Sequence, residues 1–144
     1  MIRFAKAHAY GNDFVYVEQA AVAGVDLPAL TRRICERNTG VGADGLIVYE
    51  RTGQGATMRL FNADGGRAEV SGNGVRALAA LLLHASEPVN SGVMIETEGG
   101  VKQAVRLERA GSRQTFRTEM GLPSELRQVS LQISAAGGET VDAV

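Results

Sequence analysis

Residues 72–83 open with Gly72-Asn73-Gly74 and then run almost without polar side chains. Val75, Leu78, Ala79 and Leu82 recur at helical spacing, Leu81 and Leu83 lie off that stripe, and Ala77 and Ala80 are small. A helix with one apolar stripe lies on a surface, but a helix apolar nearly all round has to be enclosed, normally by a sheet. At 144 residues the chain fits one ordinary domain, or one lobe of a larger enzyme, and is long enough to bury a core without disulfides. The apolar run of residues 77–83 is far too short to span a membrane. The fold expected is therefore α/β, with residues 72–83 as its central helix.

The rest of the chain supplies the strands. Residues 2–5 read as a short strand, and Tyr10-Gly11-Asn12-Asp13 as a turn. Residues 14–17, Phe-Val-Tyr-Val, read as a buried strand. Asp26 is a candidate N-cap with Leu27 and Pro28 in the first turn of a helix. That helix carries Leu27, Leu30 and Ile34 on one face and ends at Asn38 and Gly40. Residues 46–49 and the alternating residues 57–61 are further strands. Residues 93–97 and 101–107 flank Gly99-Gly100 as a hairpin. Residues 114–118 and 129–133 complete the strand set, and residues 137–144 could start another. Met120-Gly121-Leu122-Pro123 marks a domain boundary, so residues 1–120 form the main lobe and 121–144 a boundary segment with the start of a second lobe.

Composition narrows the class of function. The chain is 44% hydrophobic and 22% charged, which is globular rather than disordered. Fifteen basic residues face sixteen acidic ones, a net charge of −1, so no nucleic-acid partner is expected. The single cysteine, Cys35, allows no internal disulfide, reads as a small buried residue on a helical face, and suits a reducing compartment. With no charged-then-apolar leader, a cytoplasmic location is expected, without membrane association. One cysteine and the two distant histidines, His8 and His84, indicate no metal site. His84 reads as a helix-capping or surface residue. His8 is either structural or lines a pocket near Asn12.

Two glycine-rich segments match a dinucleotide fingerprint as bare patterns. Gly40-Val41-Gly42-Ala43-Asp44-Gly45 follows a helix and precedes a strand, the reverse of what such a site needs, and reads as a helix stop and turn. Gly72-Asn73-Gly74-Val75-Arg76-Ala77 does enter a helix, but lacks the strand before it and the acidic ribose partner after it. A helix N-terminus with glycines offers free backbone N–H groups to a carboxylate or phosphate. The plainer reading of the same residues is a helix start capped by Ser71 or Asn73. Asp13, Asp44 and Asp64 all sit in turns beside Gly or Asn, where Asx-turn chemistry accounts for them.

Four blocks stand in order along the chain: Gly11-Asn12-Asp13-Phe14, Gly40-Val41-Gly42-Ala43-Asp44-Gly45-Leu46, Phe61-Asn62-Ala63-Asp64-Gly65 and Gly72-Asn73-Gly74-Val75-Arg76. Together they resemble the N-terminal half of diaminopimelate epimerase, over nearly the whole chain and less after Met120. The resemblance implies one lobe of a two-lobed fold, each lobe a mixed β-sheet wrapped around a central helix, with the active site between the lobes. It implies a cofactor-independent isomerase of lysine biosynthesis that interconverts LL- and meso-diaminopimelate by two-base proton transfer. Asn12 and Asn62 would hold the distal amino-acid group of this small-molecule substrate. Gly72, Asn73 and Gly74 would hold the reacting carboxylate.

Two departures from the family pattern bear on activity. The family's acid/base cysteine falls at Ser71, and an alcohol is a far weaker acid than a thiol of pKa about 8.5. The second cysteine, with a histidine and glutamate near it, belongs to a second lobe that this chain lacks, to be supplied in cis or in trans. Smaller departures are Ala7 and Ala9, where the family usually has Met and Gly. The expectation is a lobe inactive alone, whose exposed cleft face allows a homodimer. Alternatives are a related isomerase or dehydratase acting on another amino or imino acid, and a carboxylate-binding module without turnover.

Overall fold

The structure, a computed structural model, describes residues 1–83, 87–122, 129–132 and 140–143. His84 lies outside the described residues. The first strands form a hairpin, β1 (Ala5–Ala9) and β2 (Asn12–Glu18), paired antiparallel. Its two-residue loop holds Tyr10 at φ 53° and Gly11 at φ 83°, the twist that a tight hairpin requires. β1 begins where residues 2–5 were expected to end. Its inward residues are Ala5, Ala7 and Ala9, while Lys6 and His8 are exposed. Alanines carry little strand signal, and they stand here because the central helix lies close against them. Ile2 packs instead against the opposite core.

β2 shows why residues 14–17 form an unbroken apolar run. Phe14 and Tyr16 enter the core on one face of the sheet, Val15 and Val17 the core on the other, and all four are buried. A short 3₁₀ turn (Gln19–Val22) leads to α1 (Leu27–Cys35), whose N-terminus is capped by Asp26 Oδ1 accepting from Ala29 N at 3.0 Å. α1 ends at Cys35, several residues before Asn38 and Gly40. Glu36 turns to extended backbone, and the chain folds back so that Val41 N and Gly42 N donate to Ile34 O and Ala43 N donates to Cys35 O. A Cβ on Gly40 would sit 2.3 Å from Arg33 O, so a glycine passes where the helix's last carbonyls face out.

β3 (Gly45–Thr52) pairs parallel with β2, and β4 (Gly55–Asn62) antiparallel with β3. β4 alternates between buried and half-buried residues, as its sequence pattern predicts. The short β5 (Arg67–Ala68) adds to the far end of β4. α2 (Gly72–Leu82) then crosses to β6 (Gly92–Thr97), which runs parallel to β4. β7 (Gly100–Ala110) and β8 (Arg113–Glu119) continue antiparallel, with a bulge between Arg106 and Glu108. The result is a mixed eight-stranded sheet of order β1-β2-β3-β4-β6-β7-β8, with β5 beside β4. β9 (Val129–Gln132) and β10 (Thr140–Ala143) pair in a separate two-stranded sheet.

The two helices take opposite faces. Leu27, Leu30, Ile34 and Cys35 of α1 pack with Val15, Val17, Leu46 and Val48. Val75, Leu78, Ala79 and Leu82 of α2 pack with Phe14, Tyr16, Ile47, Leu60 and Ile95. α2 touches β1 and β8, the two ends of the main strand order, so the sheet curls around it. No residue from 71 to 83 is exposed. The sequence's all-round apolar helix is thus the axis of the lobe.

Tyr10 is the costly residue in the hairpin: 93% exposed, in a left-handed conformation that side chains with a Cβ resist. Tyr10→Asn, which creates an Asn-Gly turn, is expected to stabilise the fold by about 0.5–1 kcal/mol. A rise in the urea midpoint at unchanged m-value is the measurement that checks it.

Candidate active site at one end of the sheet

The start of β2, the start of β3 and the end of β4 meet at one end of the sheet, where Phe14 pairs with Gly45 and Gly45 with Asn62. The first turn of α2 is bound to that end. Ser71 is the N-cap: its Oγ accepts from Gly74 N at 3.1 Å, and its carbonyl accepts from Val75 N at 2.9 Å. Gly72 N and Asn73 N have no acceptor among the described residues. They are the free N–H pair at the positive end of an enclosed helix.

The two glycines of this turn serve different ends. A Cβ on Gly74 would stand 2.8 Å from Ile47 Cδ1, and Ile47 is fully buried, so α2 meets the sheet at closer range than a side chain allows. The Tyr16 hydroxyl donates to Gly74 O at 3.2 Å from inside the core. Burial raises the Tyr16 pKa above the usual tyrosine range, which keeps the phenol a neutral donor. A Cβ on Gly72 would meet nothing closer than 3.6 Å. Packing demands glycine at 74 and leaves 72 open.

Asn12 and Asn73 come together. Asn73 Nδ2 donates to Asn12 Oδ1 at 3.4 Å, and Arg76 Nη1 donates to Asn73 Oδ1 at 2.9 Å. Asn12 Nδ2 donates to Asp44 Oδ2 at 2.8 Å. Asn62 lies at the same sheet end with an exposed side chain. Its neighbour's amide, Ala63 N, donates to Asp44 O at 3.0 Å. No side-chain hydrogen bond joins Asn62 to Asn12 or Asn73 among the described residues.

Asp13 and Asp44 were expected as local Asx turns, and only Asp64 is one, its Oδ1 accepting from Gly66 N at 2.7 Å. Asp13 and Asp44 bind each other's segments across the sheet end. Asp44 Oδ2 accepts from Asp13 N at 3.0 Å, and Asp44 N donates to Asp13 O at 2.9 Å. Arg37 Nη2 bridges both carboxylates, at 2.9 Å to Asp13 Oδ1 and 2.8 Å to Asp44 Oδ1, and Lys6 Nζ lies 3.1 Å from Asp13 Oδ2. Asp13 and Asp44 are 31 residues apart in the chain, so no local pattern reveals their pairing. Asp13 and Asp44 do lie inside the ordered blocks, the one sequence signal that could have singled them out.

His8 is exposed, on the opposite face of β1 from its alanines. Cys35 is 4% exposed, and burial pushes its thiol up to about 11. It is a neutral, packed side chain and cannot stand in as a thiolate for Ser71.

The family model for diaminopimelate epimerase matches residues 4–125. The chain belongs to the diaminopimelate epimerase family. It is 35% identical over 144 residues to a diaminopimelate epimerase of Moorella thermoacetica, covering 98% of this chain and 51% of the relative. It is 38% identical over 123 residues to that of Caldanaerobacter subterraneus subsp. tengcongensis, covering 85% and 44%. The chain therefore spans about half the length of the curated epimerases it matches. Among solved structures, a probable proline racemase from Agrobacterium radiobacter K84 aligns with TM-score 0.64 at 18% identity, over 99% of this chain and 48% of that one. A hydroxyproline epimerase from Agrobacterium vitis aligns with TM-score 0.56 at 16% identity, over 76% and 38%. These show that the chain shares the fold of about half of the first and of a little over a third of the second.

Arg37, reinforced by Lys6 and opposed by burial, holds the Asp13 carboxyl well below the usual carboxylate range. A depressed folded pKa means the stabilisation is complete above the unfolded pKa of about 3.9 and is lost as pH falls toward the folded value. Asp13→Asn is expected to cost about 1 kcal/mol at pH 7, allowing for solvent screening around Arg37 and Lys6. Urea unfolding of both proteins from pH 7 to pH 2.5 checks this, because the gap should narrow below about pH 4.

Proposed function

We propose that this chain is the carboxylate-holding lobe of a cofactor-independent amino-acid isomerase of the diaminopimelate epimerase type. The observation that carries the reading is the pair of free N–H groups at Gly72 and Asn73, set beside Asn12 in a chain of this family. Removing an α-proton sends negative charge onto the α-carboxylate. Fixed N–H donors and the helix dipole lower the energy of that charge. Asn12 and Asn62 serve the distal amino-acid group of diaminopimelate from the same sheet end. Gly72, which packing leaves free, is where the carboxylate meets the backbone.

Proton transfer is where this lobe falls short. Ser71 stands where the family's acid/base thiol is expected, and its oxygen already accepts the Gly74 N–H. The hydroxyl retains a proton to donate but is far too weak an acid to cycle as a base without an activating neighbour. The opposite proton-transfer group belongs to a complementary lobe, in cis or in trans. The capping role of Ser71 favours a second reading, a carboxylate-binding module that does not turn over.

Incubated alone with LL-diaminopimelate in deuterated water, the chain is expected to incorporate no deuterium at the α-carbon. Rapid incorporation, read by mass spectrometry, would overturn the assignment of Ser71 as an impaired position. With a complementing second lobe supplied, Ser71→Cys should raise exchange by about 10²-fold or more. No gain over Ser71 would point to a different reaction. Gly72→Ala should fold with an unchanged urea midpoint, yet weaken meso-diaminopimelate binding by about tenfold. Calorimetric titration reads this, and unchanged affinity removes the backbone from the carboxylate site.

A further inference from the structure

The amides of Asn12 and Asn73 are each held from behind by a charged side chain, and the two charges have opposite sign. A carboxamide has nearly the same shape either way round, but its two ends are opposite in character, one a donor and one an acceptor. Left to itself it presents either end. An ionised carboxylate can only accept and a guanidinium can only donate.

Asp44 settles the first amide. Its Oδ2 takes the Asn12 Nδ2 donor at 2.8 Å and the Asp13 N–H at 3.0 Å, while its Oδ1 is held by Arg37 at 2.8 Å. Reversing Asn12 would set its carbonyl oxygen against a carboxylate oxygen, with no proton between them. The Asn12 oxygen is therefore turned toward Asn73. Arg76 settles the second amide independently, by donating to Asn73 Oδ1 at 2.9 Å. That leaves the Asn73 nitrogen facing Asn12. The two constraints agree: carboxylate, amide, amide and guanidinium run in one direction. The outer bonds are charge-assisted and short, and the Asn73–Asn12 bond between them is the long one at 3.4 Å.

We propose that Asp44 and Arg76 are positioning residues that fix the polarity of Asn12 and Asn73, so that the site presents one acceptor beside its donors to a zwitterionic amino acid. This rests on the substrate reading above. The Asn12 oxygen keeps a lone pair for an ammonium group. The Asn73 side-chain nitrogen keeps a hydrogen for a carboxylate, alongside the free N–H groups of Gly72 and Asn73. The weak central bond is where a substrate competes with least loss. A dicarboxylate without amino groups leaves the second lone pair of the Asn12 oxygen without a donor.

The test uses the ¹⁵N-labelled chain with two variants, Asp44→Asn and Arg76→Gln, one at each end of the run. Each keeps the shape or reach of the side chain and removes the charge, and if one fails to fold the other still decides the question. Without ligand, the side-chain NH₂ signals of Asn12 and Asn73 should be resolved and slow to exchange with solvent in the natural chain. In each folded variant, the amide nearest the lost charge should move toward its free value and exchange faster. Titration with meso-diaminopimelate and with pimelate, the same dicarboxylate lacking amino groups, should show a preference for the former. That preference should fall by about tenfold in either variant. Unchanged NH₂ signals in a folded variant overturn the fixed polarity, whatever the ligand does. Altered NH₂ signals with no preference in the natural chain uphold the polarity and sink the substrate reading.

Discussion

The close approach of Gly74 to Ile47 is the contact on which the rest of this lobe depends. It sets how deeply α2 sits against the sheet. That depth sets how far the sheet has to curl to cover a helix with no polar side. The Tyr16 hydroxyl, buried and neutral, ties the same turn to β2 from below. A larger residue at 74 would lift the helix start away from the strand ends that carry Asn12 and Asn62. The same contact therefore governs packing and the placement of the site.

Around this contact the polar groups are arranged by charge as much as by shape. Asp13, Asp44, Arg37 and Lys6 join the hairpin, the loop after α1 and the start of β3 where the sheet would otherwise fray. Most of their partners are partly solvent-exposed, so each ion pair contributes modestly. Their larger effect is orientation, because a carboxylate flanked by fixed donors leaves an adjoining amide one way to face. Ser71 belongs to this arrangement too. A hydroxyl is a strong N-cap, and here it holds the turn whose neighbouring N–H groups stay open.

What the sequence revealed depended on whether the physics was local. Residues 14–17 read correctly because burial on both faces leaves an unbroken apolar run. Asp26 announced the start of α1 because an N-cap acts within one turn. The end of α1 misled, because glycine at 40 answers to the chain folding back on the helix rather than to a helix cap. β1 was misplaced because its core-facing residues are alanines, small to admit α2 and weak as a strand signal. Asn12, Asn73, Ser71 and the glycines could be picked out from ordered motifs. Asp44 and Arg76 lie in the same motifs, but their roles were not legible. Asp44 meets Asn12 only across the fold, 32 residues away, and Arg76, three residues from Asn73, carries no pattern that says which end of the amide it holds.

The enclosure of α2 also bears on how the lobe assembles. β2 meets β3 only after the chain has passed through α1, and β4 meets β6 only after α2, so the parallel pairings are non-local and slow to close. A helix with no polar side gains little stability before strands from both ends of the sheet have reached it. The open N–H groups at its start thus come into existence with the finished fold rather than with any local segment. A molecule bound there would act on the folding equilibrium as a whole, raising the global unfolding free energy instead of quieting a single loop.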